Sequence, residues 1–467
     1  MTTEAAAGRR PRRPRINAGD HSHPDQAGHG RRGAVILVDQ AVSSISNFTV
    51  GVAVARVAGA AGLGAFSLAY ALWLIAGALH RSLVAEPMAI EGDARRATDT
   101  GVETGLAAEV LLGLGGAVLL AATGAVCLLA GRVEFGTAML AFAPWLPFLV
   151  VQDYWRWVGF LTRSPRRALT NDVVFLVVQV AGFAALLGRP HVPAALVIGM
   201  WGLGGLAGAF YGLHQQARAT GAVLRAWRSP RLLPGWLAAG AGLLAARWRL
   251  SRWIAGSSMV KWAASQASVL VVGVVLGAAR LGLFQAAVNL ATGPAFVLIQ
   301  AGGSLGLPEA TRMLEERGWP GLRAVAGWVT AAGVASVGAC TLLVVLVGRA
   351  VLAAVYGPGF GRAEPAAVIV GVAYVVNAFQ LGAILVLKAT RNTSRLFGVQ
   401  VVVLVASLAT ATGLSAAFGI EGAAWATLAT LAVSALTMHL AQRPVARELQ
   451  AATPATTPSA PAHAAGG

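Results

Sequence analysis

The chain has 467 residues, 56% of them hydrophobic and 12% charged, with a mean hydropathy of +0.67. So apolar a composition excludes a water-soluble globular domain and places the chain in a membrane. The formal charge of +17 lies mainly in arginines of short loops between apolar runs, so the anionic partner it implies is membrane lipid and not nucleic acid.

Residues 1–33, with "RRPRRPR" and few apolar side chains, read as a disordered basic cytoplasmic tail. Its histidines, His21, His23 and His29, read as solvated and not as metal ligands. Cys127 and Cys340 both fall in apolar runs, which leaves no disulfide framework and no cysteine metal site. No cofactor is expected.

Crossing about 30 Å of hydrocarbon takes roughly 20 apolar residues. Twelve runs meet that length. Residues 34–57, 62–79, 105–130, 137–158, 168–188 and 192–213 make an N-terminal lobe, 34–213. Residues 253–279, 281–305, 324–347, 366–387, 396–417 and 423–440 make a C-terminal lobe, 253–442, followed by a disordered tail, 443–467. Of the 36 lysines and arginines, only Arg56, Arg132, Arg189, Arg280, Arg349 and Arg362 fall in loops of one parity, which puts those loops outside and both termini in the cytoplasm. The short apolar stretch Leu232–Ala246, flanked by arginines, reads as an interfacial helix within a linker, 214–252; a crossing there would move Arg312, Arg317, Arg323, Lys388, Arg391 and Arg395 outside. The expected fold is thus an all-α polytopic membrane protein, two parallel six-helix lobes around a central cavity.

The duplication has a sequence trace. "GAAGLGAFSLA" from Gly59 returns as "GAARLGLFQAA" from Gly277, seven of eleven letters agreeing at an offset of 218. Its glycines and alanines suit a tight outer turn and close helix contact. Just before the first copy, Asp39, Gln40, Ser43, Ser44, Ser46 and Asn47 recur at helical spacing; before the second, Ser257, Ser258, Lys261, Ser265 and Ser268 do the same. Two such stripes either face each other across a hydrated cavity or serve close helix packing. Lys261, deep in its run, needs a counter-charge, which either Asp39 or an anionic substrate could supply.

A second cluster gathers Arg81, Gln152, Asp153, Arg156, Asn171 and Asp172 near the cytoplasmic ends of runs two, four and five; it reads as an inner gate of ion pairs or as interfacial anchoring. Gln285, Asn289, Asn377 and Gln380 are weaker polar candidates in the second half.

"VDQAVSSISNF", "ARVAGAAGLGAFSLAYAL", "QDYWRW" with "RRALTND", and "VYGPGF" together resemble the Wzx-like polysaccharide, O-antigen and teichoic-acid exporters of the multidrug/oligosaccharidyl-lipid/polysaccharide (MOP) flippase superfamily. The resemblance implies alternating-access flipping of a polyprenyl-pyrophosphate-linked oligosaccharide from the inner to the outer leaflet. It would make Lys261 the phosphate ligand, with Arg81 and Arg156 at the entrance, and Asp39, Gln40, Ser43, Asn47 and Ser265 facing sugar or a coupling cation. Asp153, Asp172 and Asn171 would complete the gate. Such a transporter is not an enzyme, acts as a monomer, and would meet glycan polymerase or glycosyltransferases as partners. The chain has no GK[ST] phosphate loop, but two negative charges leaving a cell that is negative inside gain roughly 4 to 5 kcal/mol per 100 mV. The rival readings are an ion-coupled multidrug exporter of the same superfamily, a major-facilitator-type transporter, for which only "EGDARR" speaks, and a membrane glycosyltransferase, which the short, carboxylate-poor outer loops disfavour.

Overall fold

The computed structural model describes the backbone of residues 26–91, 99–162, 164–189, 192–220, 230–390 and 392–452; side chains are described from 48 onward, with 89–100, 220–230, 294–305 and a few single positions left out. Every regular element among these residues is helical. Long runs of Leu, Val and Ala favour this outcome, because in hydrocarbon each backbone polar group must be satisfied within its own helix.

Helix α1, Gln26–His80, folds back on itself at Gly59 and passes through a π-helical turn, Arg81–Ala85, into α2, Glu86–Glu91. Next come α3, Asp99–Leu129; α4, Val133–Phe142; α5, Leu146–Leu161; α6, Pro165–Ala184; and α7, Ala194–Thr220. The second half comprises α8, Leu233–Leu276; α9, Ala278–Tyr356, folded at Gly318; α10, Glu364–Phe379; α11, Leu381–Ala389; and α12, Thr393–Ala452, folded at Gly419.

Nine stretches of the described residues are long and apolar enough to span a membrane. They are fewer than the twelve runs read from sequence because the stretches Phe48–Met88 and Ser394–Ala451 each contain a glycine fold, and because the eighth run extends into residues 294–305, whose side chains lie outside the described residues.

Reversals at Gly59, Gly131, Gly188, Gly277, Gly357 and Gly419 all carry a positive φ, between 62° and 123°, where a side chain would be strained. Successive helices are antiparallel, so these six turns gather at one end of the bundle, here the glycine end. The loops rich in arginine gather at the other.

Several boundaries differ from expectation. Helix begins at Gln26, inside the expected tail, and α12 runs to Ala452 because Val445 and Leu449 continue its apolar face into a core with Met438 and Leu387. Leu232–Ala246 is not a separate interfacial helix: it belongs to α8, which continues unbroken through the arginine-rich "ARWRLSR" into the seventh run. No Gly or Pro falls between Arg247 and Arg252, and the early turns of α8 have a firm seat. Trp236 Nε1 donates to the Glu103 carbonyl at 3.1 Å, and a methyl group on Gly240 would lie 2.6 Å from the Ala108 nitrogen. The corresponding fourth and tenth runs are both interrupted, by the turn Ala143–Trp145 beside Pro144 and Pro147, and by Gln380.

The largest apolar core crosses between the halves, joining Val54, Leu63, Phe66 and Trp73 of the first to Leu281, Phe284, Leu352 and Tyr356 of the second.

Candidate functional site

Three polar regions stand out within this apolar frame. The first lies in the N-terminal half, where α1 meets α3 and α5. In a regular α-helix neighbouring side chains diverge by about 100°, from 3.6 residues per turn. The π-turn that starts at Arg81 departs from that spacing, and both His80 and Arg81 reach Asp153. Arg81 Nε donates to Asp153 Oδ2 at 2.6 Å and Nη2 to Oδ1 at 3.1 Å, a bidentate pair. His80 Nε2 lies 3.3 Å from the same carboxylate, while its Nδ1 lies 3.1 Å from Glu109 Oε2 on α3. His80 and Glu109 are 2% and 0% exposed, so the imidazole bridges two carboxylates out of reach of water. Trp73 stacks on the imidazole, ring centroids 6.0 Å apart. Ser251 of α8 closes the turn by donating to the Leu83 carbonyl at 3.3 Å.

A second set of contacts continues this cluster along α5 and α6. Arg156 Nε lies 3.1 Å from Asp172 Oδ2, Gln152 Nε2 donates to Asn171 Oδ1 and Asp172 Oδ1 at 2.9 and 3.0 Å, and Asn171 Nδ2 donates to the Gly208 carbonyl on α7. Close packing permits this: a Cβ on Gly208 would fall 2.6 Å from Gln152 Cγ.

In the C-terminal half the polar atoms are neutral and surround the break at Gln380. Ser434 Oγ donates to Gln380 Oε1 at 2.8 Å, and Gln380 Nε2 donates to Asn377 Oδ1 at 2.5 Å. The backbone groups at the interruption are met from neighbouring helices: Thr330 Oγ1 accepts from the Gly382 amide at 3.0 Å, and His439 Nε2 lies 3.1 Å from the Phe379 carbonyl.

Between the halves is a cavity of about 180 Å³ lined by Ser67, Tyr70 and Trp201 on one side and by Gln285, Asn289 and Thr292 on the other. Ser67 and Gln285 are equivalent positions, 218 residues apart. Among the described residues the polar lining thus comes from the helices that follow the two repeated turns. The stripes on the preceding helices were expected to provide it. The side chains of Asp39, Gln40, Ser43 and Asn47 lie outside the described residues. On α8 the stripe is partly turned inward on its own backbone: Ser257 Oγ donates to the Ile254 carbonyl and Ser265 Oγ to that of Trp262.

Lys261 is exposed and forms no ion pair among the described residues. Its charge acts on Glu86, at the start of α2, and on Lys388, near the end of α11. Glu86 also feels Arg81. Lys261 and Lys388 are the chain's two lysines, and both are exposed near the arginine-rich end of the interface between the halves.

Sequence reasoning thus assembled Arg81, Gln152, Asp153, Arg156, Asn171 and Asp172 as the structure does, but missed His80, Glu109, Glu86 and Lys388. Glu109, a lone carboxylate inside the third apolar run, was the available signal.

No protein family's sequence pattern and no curated protein sequence matches the chain. Its fold is similar to that of a multidrug resistance MATE family transporter of the MOP superfamily in an inward-facing conformation, with TM-score 0.70, 13% identity, and 88% of this chain and 96% of that one covered. An outward-facing conformation of a multidrug resistance MATE family transporter matches at 0.58, with 13% identity and 91% and 96% covered. Lipid II flippase MurJ in an inward closed conformation matches at 0.63, with 11% identity and 86% of each chain covered.

Proposed function

From the fold it shares with MOP-superfamily transporters, we propose that this chain is a multi-pass membrane flippase that moves a polyprenyl-pyrophosphate-linked oligosaccharide from the inner to the outer leaflet by alternating access. The glycine end faces outward, the arginine-rich end and both termini face the cytoplasm, and the plasma membrane is the setting. No bond is made or broken in the cargo, so the reading is of a transporter and not an enzyme, with the membrane potential acting on the pyrophosphate charge in place of ATP.

The sign of the accessible charge carries this reading. Glu109, Asp153 and Asp172 are buried and neutralised by His80, Arg81 and Arg156, whereas Lys261 is exposed without an ion-pair partner among the described residues. A site that offers an exposed ammonium while Glu109, Asp153 and Asp172 are already paired suits a pyrophosphate. Lys261 therefore takes the phosphate, and the Arg81–Asp153 and Arg156–Asp172 pairs form the inner gate with Asn171. Asp39, Gln40, Ser43, Asn47 and Ser265 are the proposed ligands of the sugar. The substrate itself is the one partner the reading requires, apart from anionic lipid around the arginine-rich end; polymerase or glycosyltransferases would act on either side of the flipping step.

Proteoliposomes test this directly, with a fluorescent polyprenyl-pyrophosphate sugar and imposed potentials of both signs. Wild type should flip the lipid in a potential-dependent way, and Lys261→Ala should lose at least tenfold in rate. Retained flipping in the variant moves the phosphate site to Arg81 and Arg156. The likeness to a multidrug resistance transporter favours a second reading, an ion-coupled exporter of cationic compounds; efflux of cationic dyes without any lipid flipping would replace the first reading with that one.

A further inference from the structure

The repeated turn makes a contact that its two copies share reciprocally. A methyl group on Gly64 would lie 1.8 Å from the Ala278 carbonyl oxygen and 2.9 Å from the Gly282 nitrogen. A methyl group on Gly282 would lie 1.9 Å from the Ala60 oxygen and 3.0 Å from the Gly64 nitrogen. Gly64 and Gly282 are equivalent under the 218-residue offset, as are Ala60 and Ala278. The two helices that leave the repeated turns therefore cross backbone to backbone on the local two-fold axis, at a distance no side chain permits.

Two arginines of the first half reach across the same end. Arg56 Nε donates to the Val355 carbonyl at 2.7 Å and its Nη2 to that of Ala354; both carbonyls lie in the last turn of α9. Arg132 Nη1 donates to the Val274 carbonyl at 3.4 Å, in the last turn of α8. The final carbonyls of a helix have no partner within it and carry the negative end of its dipole, so a guanidinium there satisfies both. Just beneath the crossing, Leu63, Phe66 and Ser67 roof the cavity between the halves.

We propose that the duplicated turn is an outer latch, in which the Gly64–Gly282 crossing and the Arg56 and Arg132 caps hold the glycine end shut, and that transport requires all three contacts to part. The latch explains why the repeat is densest in small residues at this one place: the missing side chains set how tightly the end closes. Arg56 and Arg132 are positioning residues that touch no cargo. The latch rests on the alternating-access reading, but it can be measured without any cargo.

Spin labels at Leu129→Cys and Gly359→Cys, both exposed at the glycine end, in a Cys127→Ser, Cys340→Ser background, report the separation of the halves by double electron–electron resonance. Wild type should populate mainly the short distance. Gly64→Ala or Gly282→Ala should raise the long-distance population several-fold, with the double substitution adding little because both methyls break one crossing. Arg56→Gln with Arg132→Gln should shift it in the same direction by less. Gly115→Ala, with open space around it, should leave the distribution unchanged. Unaltered distances in folded glycine variants, or in the arginine double variant if the glycine variants do not fold, overturn the latch. Absence of lipid flipping by the wild type, with the expected distance shift in the variants, overturns the cargo assignment and leaves the latch standing.

Discussion

The two halves fold alike and treat polarity differently. In the first half, charge is concentrated, with His80, Glu109, Asp153 and Asp172 buried and Arg81 and Arg156 half-buried as their partners. In the second half, the corresponding interrupted run is surrounded by amides, hydroxyls and one imidazole, those of Asn377, Gln380, Gln442, Ser434, Thr330 and His439, with no carboxylate among them. A duplicated scaffold therefore fixes where helices cross and break without fixing what chemistry fills the gap. Ion pairs withdrawn from water are costly to disrupt singly, while neutral hydrogen bonds are forgiving.

That difference sets the expected size of single substitutions. Asp153→Asn leaves Arg81 and His80 buried beside a neutral amide, and should lower unfolding stability in detergent by about 3 to 5 kcal/mol. A loss as small as that of a surface substitution would erase the contrast between the halves. His80→Leu or Glu109→Leu alone should cost nearly as much, but the double substitution should recover most of the loss, because an apolar pair replaces a buried ionic one. Additive losses would mean that the imidazole is held by Asp153 alone. Gln380→Leu should cost about 1 to 3 kcal/mol by stranding Ser434 and Asn377, and should not disturb the first half. At the bottom of the scale, Arg312→Ala should leave thermal unfolding unchanged, although Arg312 contacts both Glu309 and Glu316; all three are solvent-exposed and screened.

Much of the fold could be read from the chain, because hydrocarbon imposes length and composition on each spanning helix and the offset of 218 aligns the halves. The same offset marked the repeated turn, whose glycines and alanines suit close helix contact, but that Gly64 and Gly282 meet each other shows only in the structure. That Arg81 and Asp153 belong to one polar cluster followed from their common level near the ends of runs two and four; their bidentate pairing shows only in the structure. His80 did not, because the π-turn at Arg81 alters side-chain direction in a way that a regular helical period cannot express. The break at Gln380 was equally hidden: "FQLG" contains no proline, and the interruption is sustained by Thr330 and His439 from distant helices. The continuity of α8 was missed because arginines near 247–252 mark a membrane boundary without ending a helix.

The two exposed lysines have a practical consequence. Acylating reagents that seek side-chain amines have only Lys261 and Lys388 to modify, one on each of two helices of the second half. The chain thus carries a built-in chemical address near the arginine-rich end of its second half. A short amine-reactive dye would report on the accessibility of that region, with no engineered cysteine and no substitution at all.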